Sequence, residues 1–318
     1  MSNNNKISAI FIQNFFRFGG SFLYDQFIEN NNLIGFYEPF HEDLSNYKKI
    51  NKDKENFNII KKNLKHQNKQ FYFENYPFNV NWFKDFHQQN NQSKIFFIKN
   101  NNYKIYKNYL ENLIAYGSSK SLLPIFKINR LYFNPEILEI INTVKIFLFR
   151  KPISSFFSNI HLNSLNPYYV KIRYLAENDI QPFKNLWGII CLNNLKKIQR
   201  IKNNFNFVNE QQIKIHYSVF FFIWIFGLYQ NFKSDFLFIN YDDLYNKEYS
   251  NNISKKIFNK TSIQINFSQF KKINNSLYET NIEIDEKILS LIKNSIDYNE
   301  LKEILKKNSY NKILNYLP

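Results

Sequence analysis

Two short stretches of this 318-residue chain carry side chains suited to holding a phosphate-like anion. In the first, Asn14-Phe15-Phe16-Arg17-Phe18-Gly19-Gly20-Ser21-Phe22 leads into Leu23–Ile28, which has helical spacing. Gly19 and Gly20 permit positive φ and leave backbone N–H groups unobstructed. A helix opening there turns those N–H groups and its positive dipole end toward the loop. Ser21 can cap the helix or offer its hydroxyl, and Arg17 adds a permanent charge with a bidentate fork. Paired glycines are also common in ordinary βα turns, so the loop alone leaves both readings open. It lacks the G-x-x-x-x-G-K-[ST] pattern, which disfavours a kinase or ATPase.

The second stretch begins where Val144–Phe149 runs into Arg150-Lys151-Pro152. Pro152 suits the first turn of a helix over Ile153–Leu162, because its missing N–H costs nothing there. Ligands of open α/β sheets bind beyond the carboxyl ends of the strands, where Arg150 falls. Ser158 follows eight residues later, about two helical turns on. The plainer alternative is a solvated arginine and a surface serine. Acid–base candidates lie in Tyr37-Glu38-Pro39-Phe40-His41-Glu42: Glu38 is preferred as general base because it ends a strand, with His41 second. Arg130 is a candidate for contacting an acidic acceptor, and Lys271 and Lys272 for closing over a phosphate from a late loop.

Such residues need a scaffold. Ile7–Ile12, Leu33–Tyr37, Leu122–Ile128, Val144–Phe149 and Phe236–Ile239 are apolar at both alternating positions, as buried parallel strands are. The first and fourth pass through a short turn into an amphipathic stretch, giving βα units. The expected fold is α/β: an open, doubly wound parallel sheet of about five strands with helices on both faces. Polar segments at 46–70, 88–93 and 201–212 read as surface helices or loops. No Pro/Gly/Ser linker interrupts the chain, so a single domain with helical insertions is expected, its core at about 7–245 and a peripheral helical region at 246–318. Ile284–Ile292 is the clearest amphipathic piece of that region.

The chain is 44% hydrophobic and 19% aromatic, enough for a sizeable core. Its formal charge of +16 raises the prospect of a nucleic-acid partner or an anionic membrane surface. The aromatics fall within apolar runs rather than among exposed lysines, so no nucleic-acid partner is expected; peripheral membrane contact stays open. Lone Cys191 excludes an internal disulfide, and no Cys/His cluster has zinc spacing. Tyr217–Tyr229 is the most membrane-like run, but it is shorter than the roughly 20 residues of a spanning helix and reads as a buried one. With no cleavage-like site near Ile7–Ile12, a cytoplasmic protein is expected.

The two anion stretches together resemble the sulfotransferase family. FFRFGGSFLYDQF is similar to its 5′-phosphosulfate loop, P-[KR]-[ST]-G-[ST]-[ST], matched by Arg17, Gly19 and Ser21; Phe16, Phe18 and Gly20 depart from it. FLFRKPISSFFSN is similar to its 3′-phosphate motif, an R-x-P followed by a serine at the spacing of Arg150 and Ser158. Phe238-Ile239-Asn240-Tyr241-Asp242-Asp243-Leu244 resembles a further family stretch of structural role. The likeness spans about residues 7–245. It implies a P-loop-like fold and 3′-phosphoadenosine 5′-phosphosulfate (PAPS) as donor, with no metal. It also implies sulfuryl transfer to a hydroxyl on a glycan, lipid-linked sugar, small alcohol or tyrosine. Donor contacts would come from Arg17, Phe18, Gly19, Gly20, Ser21, Phe22, Arg150 and Ser158, with Arg17, Glu38 and His41 as the catalytic set. The departures in the loop leave open a member that binds nucleotide without turning it over.

Overall fold

The computed structural model describes residues 7–15, 18–46, 49–55, 72–89, 103–161, 166–192, 210–268, 270 and 282–307. Five strands among these form one all-parallel sheet: β1 (Ala9–Asn14), β2 (Leu33–Tyr37), β3 (Leu123–Ile128), β4 (Thr143–Phe149) and β5 (Leu237–Asn240), in the order β2-β3-β1-β4-β5. Where one domain with insertions was expected, the chain gathers into two compact units. The first holds residues 1–149 and 235–271; the second holds 150–234 and 272–318.

In the first unit the two faces of the sheet differ in chemistry because side chains alternate along each strand. Ile10, Ile12, Ile125, Ile146, Leu148 and Ile239 make an aliphatic face, covered by α1 (Gly20–Ile28) through Leu23, Tyr24 and Phe27. Ile253 and Ile257 join that cluster from a helix at Lys247–Thr261 that follows β5. The opposite face is aromatic: Phe126 packs on Phe11 and Phe36 at ring separations of 4.9 and 5.1 Å, and Phe147 on Phe238 at 5.5 Å. Helices α2 (Asn81–Gln89) and α3 (Tyr103–Ser119) precede β3, and α3 lies on this aromatic side. A Cβ on Gly117 of α3 would touch Pro124 and Ile34, whereas one on Gly35, the next residue of β2, would touch Tyr24 of α1. Helices therefore cover both faces, as double winding requires. The exposed edge at β2 is partly satisfied by Asn75 and Tyr76, which donate to the carbonyls of Gly35 and Tyr37.

The second unit is helical: α4 (Pro152–His161), α5 (Asn166–Glu177), α6 (Phe183–Leu192) and α7 (Glu210–Phe232) between β4 and β5, then α9 (Glu286–Ser295) and α10 (Tyr298–Lys307), the helix at 247–261 being α8. α7 is longer than Tyr217–Tyr229 suggested, because its first turn is polar and carries no apolar signal. Within it, Ile213–Phe232 is long and apolar enough to cross a membrane, but 83% of that window is buried. Phe183 packs on Phe222 and Phe226, and Phe156 on Tyr217 and Phe220. A helix apolar all round is buried all round, and Phe156 and Phe183 of its own unit form part of the cover.

Strand order decides where a ligand can sit. From β1 the chain crosses toward β2; from β3 and β4 it crosses the other way. Right-handed crossovers then put the connections that follow β1 and β3 on opposite faces. The carboxyl end of β1, with β3 on one side and β4 on the other, is thus the crevice of this sheet.

Candidate functional site

At that end of β1 the chain turns on Gly19, whose φ of 88° is left-handed and which caps α1 without any side-chain hydrogen bond. Gly19 brings no side-chain acceptor to the first-turn N–H groups of α1, which suits an anion-binding helix start. Both glycines are fixed by their neighbours: a Cβ on Gly19 would lie 1.9 Å from the Tyr241 ring, and one on Gly20 would lie 1.9 Å from Asn14 Oδ1. Phe16 and Arg17 lie outside the described residues, as do Lys271 and Lys272. Phe18, expected among the donor contacts, turns its ring inward. It is fully buried against Phe15 and Tyr132, so only its backbone can face a ligand. Phe22 is half-buried and meets Phe270 edge-on at 5.2 Å, and Phe270 meets Tyr241 at 4.8 Å. Ser21 Oγ shares a 2.7 Å hydrogen bond with the Tyr37 hydroxyl.

Glu38 ends β2 as expected, with an unusual φ of 52°, in a turn closed by the His41 N–H on the Glu38 carbonyl at 2.8 Å. Its carboxylate is buried and accepts three hydrogen bonds: from Lys127 Nζ at 2.7 Å, Asn129 N at 3.0 Å and Arg130 Nη1 at 2.9 Å. Burial pushes its pKa up, but Lys127 and Arg130 outweigh that and hold it below the ordinary value. These partners fit Glu38 to anchor two cations rather than to collect a proton. Arg130, expected to meet an acidic acceptor, is one of those partners, itself buried. His41 caps a short 3-10 turn: its Nδ1 accepts from the Asp43 N–H at 3.1 Å. A neutral imidazole accepting through Nδ1 carries its proton on Nε2, so His41 must change tautomer before Nε2 can act as a base.

One turn beyond Ser21, the half-buried Asp25 carboxyl is raised to about 7, first by burial and then by Glu29, with Lys127 opposing. A carboxyl with a raised folded pKa gives stability that is present below its unfolded value of 3.8 and lost as pH rises through about 7. Asp25→Asn is therefore expected to melt higher than the parent, by a margin that grows from about pH 4 to about pH 7 and is constant above. Thermal melts across that range check it, and a margin independent of pH would contradict it.

In the second unit, Arg150 is buried, and its carbonyl accepts from Trp224 Nε1 at 2.9 Å. β4 runs beside β1 with Leu148 opposite Asn14, so the chain enters Arg150 two residues beyond that pair. Ser158 is half-buried on α4 and shares a helix face with Ser154 and Ser155, which are buried. The sequence reading missed those two serines. It also missed Lys127, Tyr37, Asn14 and Asn129, which crowd the ends of β1, β2 and β3. The available signal was the strand alternation that puts Lys127 beside Tyr37 in the register, with the Lys127 ammonium 4.5 Å from the Tyr37 ring centroid. No family model, curated protein or solved structure matches the chain.

Proposed function

We propose that the chain is a sulfotransferase-type enzyme that moves a sulfuryl group from PAPS to a hydroxyl acceptor. The observation that carries this reading is the uncapped, left-handed glycine start of α1 at the carboxyl end of β1, where the winding of the sheet reverses. Residues present there suit such a donor. N–H groups of the Gly19–Ser21 turn face a terminal phosphosulfate, and Phe22, Phe270 and Tyr241 offer half-buried ring surface of the kind that stacks nucleobases. Arg17 keeps its assigned part at the 5′ end of the donor, and Arg150 with Ser158 its part at the 3′-phosphate. Glu38, Lys127 and Arg130 set the ends of β2 and β3. A cytoplasmic location belongs to the same reading, since the one membrane-length apolar stretch among the described residues is mostly buried.

A second reading, nucleotide binding without transfer, is favoured by one observation: Glu38 is tied to two cations and His41 to Asp43, so neither is poised as a base. Labelled donor offered with a mixed panel of hydroxyl acceptors separates the two readings. Both predict that 3′-phosphoadenosine 5′-phosphate binds at least about tenfold more tightly than 5′-AMP, because a charge-assisted hydrogen bond contributes roughly 1.5–3 kcal/mol. Arg150→Ala should erase that preference. Calorimetry showing equal affinity for the two nucleotides in the unaltered protein would sink both readings.

A further inference from the structure

Asn14 and Asn129 are neighbours across the sheet. The register pairs Gln13 with Ile128, so the next residue on each strand stands side by side at the carboxyl ends of β1 and β3. Alternation sends both side chains to the face covered by α1, and both are almost wholly buried, at 2% and 5% exposure. Asn14 Nδ2 donates to the Phe15 carbonyl at 2.6 Å, and Asn129 N donates to Glu38. Yet neither amide oxygen has a hydrogen-bond partner among the described residues. Asn14 Oδ1 is aimed at the first turn of α1, 1.9 Å from where a Gly20 Cβ would lie. A buried acceptor left without a donor is costly, on the order of 1–3 kcal/mol, and two of them side by side at a ligand-binding strand end call for a hydrogen-bond donor. A fully ionised phosphate does not satisfy them, since its oxygens only accept. A metal cation is disfavoured by Lys127, Arg130 and the positive end of α1.

We propose that the paired amide oxygens of Asn14 and Asn129 hold the attacking hydroxyl, whether of an alcohol acceptor or of water. This rests on the sulfotransferase reading and deepens it by placing the nucleophile on the β3 side of the glycine turn, away from β4. The hydroxyl oxygen forms a bond to sulfur. The bond from sulfur to the bridging oxygen of the 5′-phosphate breaks, and its electron pair leaves on the phosphate. An amide oxygen accepts a hydrogen bond but is too weak a base to keep a proton. The hydroxyl proton therefore passes to the departing phosphate, whose second ionisation is near pH 6, and from there to solvent. Orientation without deprotonation suits a loose transition state, in which bond formation lags behind bond breaking. It also accounts for a site where Glu38, the carboxylate bonded to Asn129 N, is committed to Lys127 and Arg130.

Water is the one acceptor whose identity needs no guess, so the test uses sulfate release from labelled PAPS without any acceptor, and methyl sulfate formation when methanol is added. Asn129→Leu removes the oxygen at nearly constant volume and should slow both products about tenfold or more, the effect of one lost oriented hydrogen bond. Its affinity for 3′-phosphoadenosine 5′-phosphate should stay unchanged, which also reports that it is folded. Asn129→Asp restores an oxygen and adds basicity beside Glu38, Lys127 and Arg130. It should recover release and show a rate that climbs as its carboxyl ionises, a limb missing from the parent. Parent-like rates and pH profiles in both variants would overturn the proposal, leaving the amides to a structural water. So would a parent that binds the nucleotide yet forms neither product, although nucleotide binding would then stand. A parent that does not bind the nucleotide removes the donor reading and this inference with it.

Discussion

Glu38→Gln is expected to cost the first unit about 3–5 kcal/mol of stability, while Lys127→Met costs much less. The carboxylate is shared by two buried cations and pairs with both. Neutralising Glu38 removes the anion that both cations share and so breaks two buried pairs at once, and breaking a buried pair by removing one partner is costly. Glutamine keeps an oxygen for the Asn129 N–H, but its amide nitrogen presents a donor to a cation. Removing Lys127 instead leaves Glu38 and Arg130 as a matched pair at 2.9 Å. Urea midpoints at constant m-value measure both variants. The pH dependence has a definite sign. Because the folded pKa of Glu38 lies below its ordinary 4.5, the unfolded chain binds more protons in the window beneath 4.5. The contribution is present above 4.5 and lost as pH falls through the folded pKa, a limb that Glu38→Gln should lack. A Lys127→Met variant weaker than Glu38→Gln would mean that the shared carboxylate is not what holds the cluster.

The strands were legible because a strand buried on both faces is apolar at every position, and Leu33–Tyr37 matches β2 residue for residue. β1 runs on to Asn14 instead of stopping at Ile12. Its last two residues are polar but buried, and Gln13 reaches the Leu131 carbonyl at 2.8 Å, a partner that no local pattern predicts. The passage from sheet to helical unit falls between Phe149 and Arg150 with no Pro/Gly/Ser linker, so composition could not mark it. At the site, the glycine turn and the arginine after β4 were readable as motifs because their chemistry is local. The ionic cluster was not. Lys127 breaks the apolar run of β3, and only the pairing of β3 with β2 shows that Glu38 and Tyr37 account for it. Phe18 misled for the opposite reason: a loop position reads as ligand-facing, but Phe15 and Tyr132 supply an aromatic pocket for its ring.

Gly19→Ala is expected to lose both stability and nucleotide binding, by two separable causes. At φ 88° an L side chain clashes with its own backbone, on the order of 1–2 kcal/mol. The new methyl would also stand 1.9 Å from the Tyr241 ring, which is packed against Phe270, so the ring must move or the turn must open. Overpacking of that kind adds roughly 1–3 kcal/mol. Gly20→Ala differs, because Gly20 is within the helix and the nearest atoms to its methyl are those of the Asn14 amide; its cost should come mainly from that contact. Opening the turn at Gly19 redirects the first N–H groups of α1, so 3′-phosphoadenosine 5′-phosphate should bind at least about tenfold more weakly in Gly19→Ala. The two causes part in a double-mutant cycle. Placed in a Tyr241→Ala background, Gly19→Ala has no ring to displace and should cost only the backbone term, giving a coupling of about 1–3 kcal/mol with Tyr241. If Gly19→Ala costs as much without the ring as with it, the strain is wholly in the backbone and the Tyr241 contact plays no part in setting the turn.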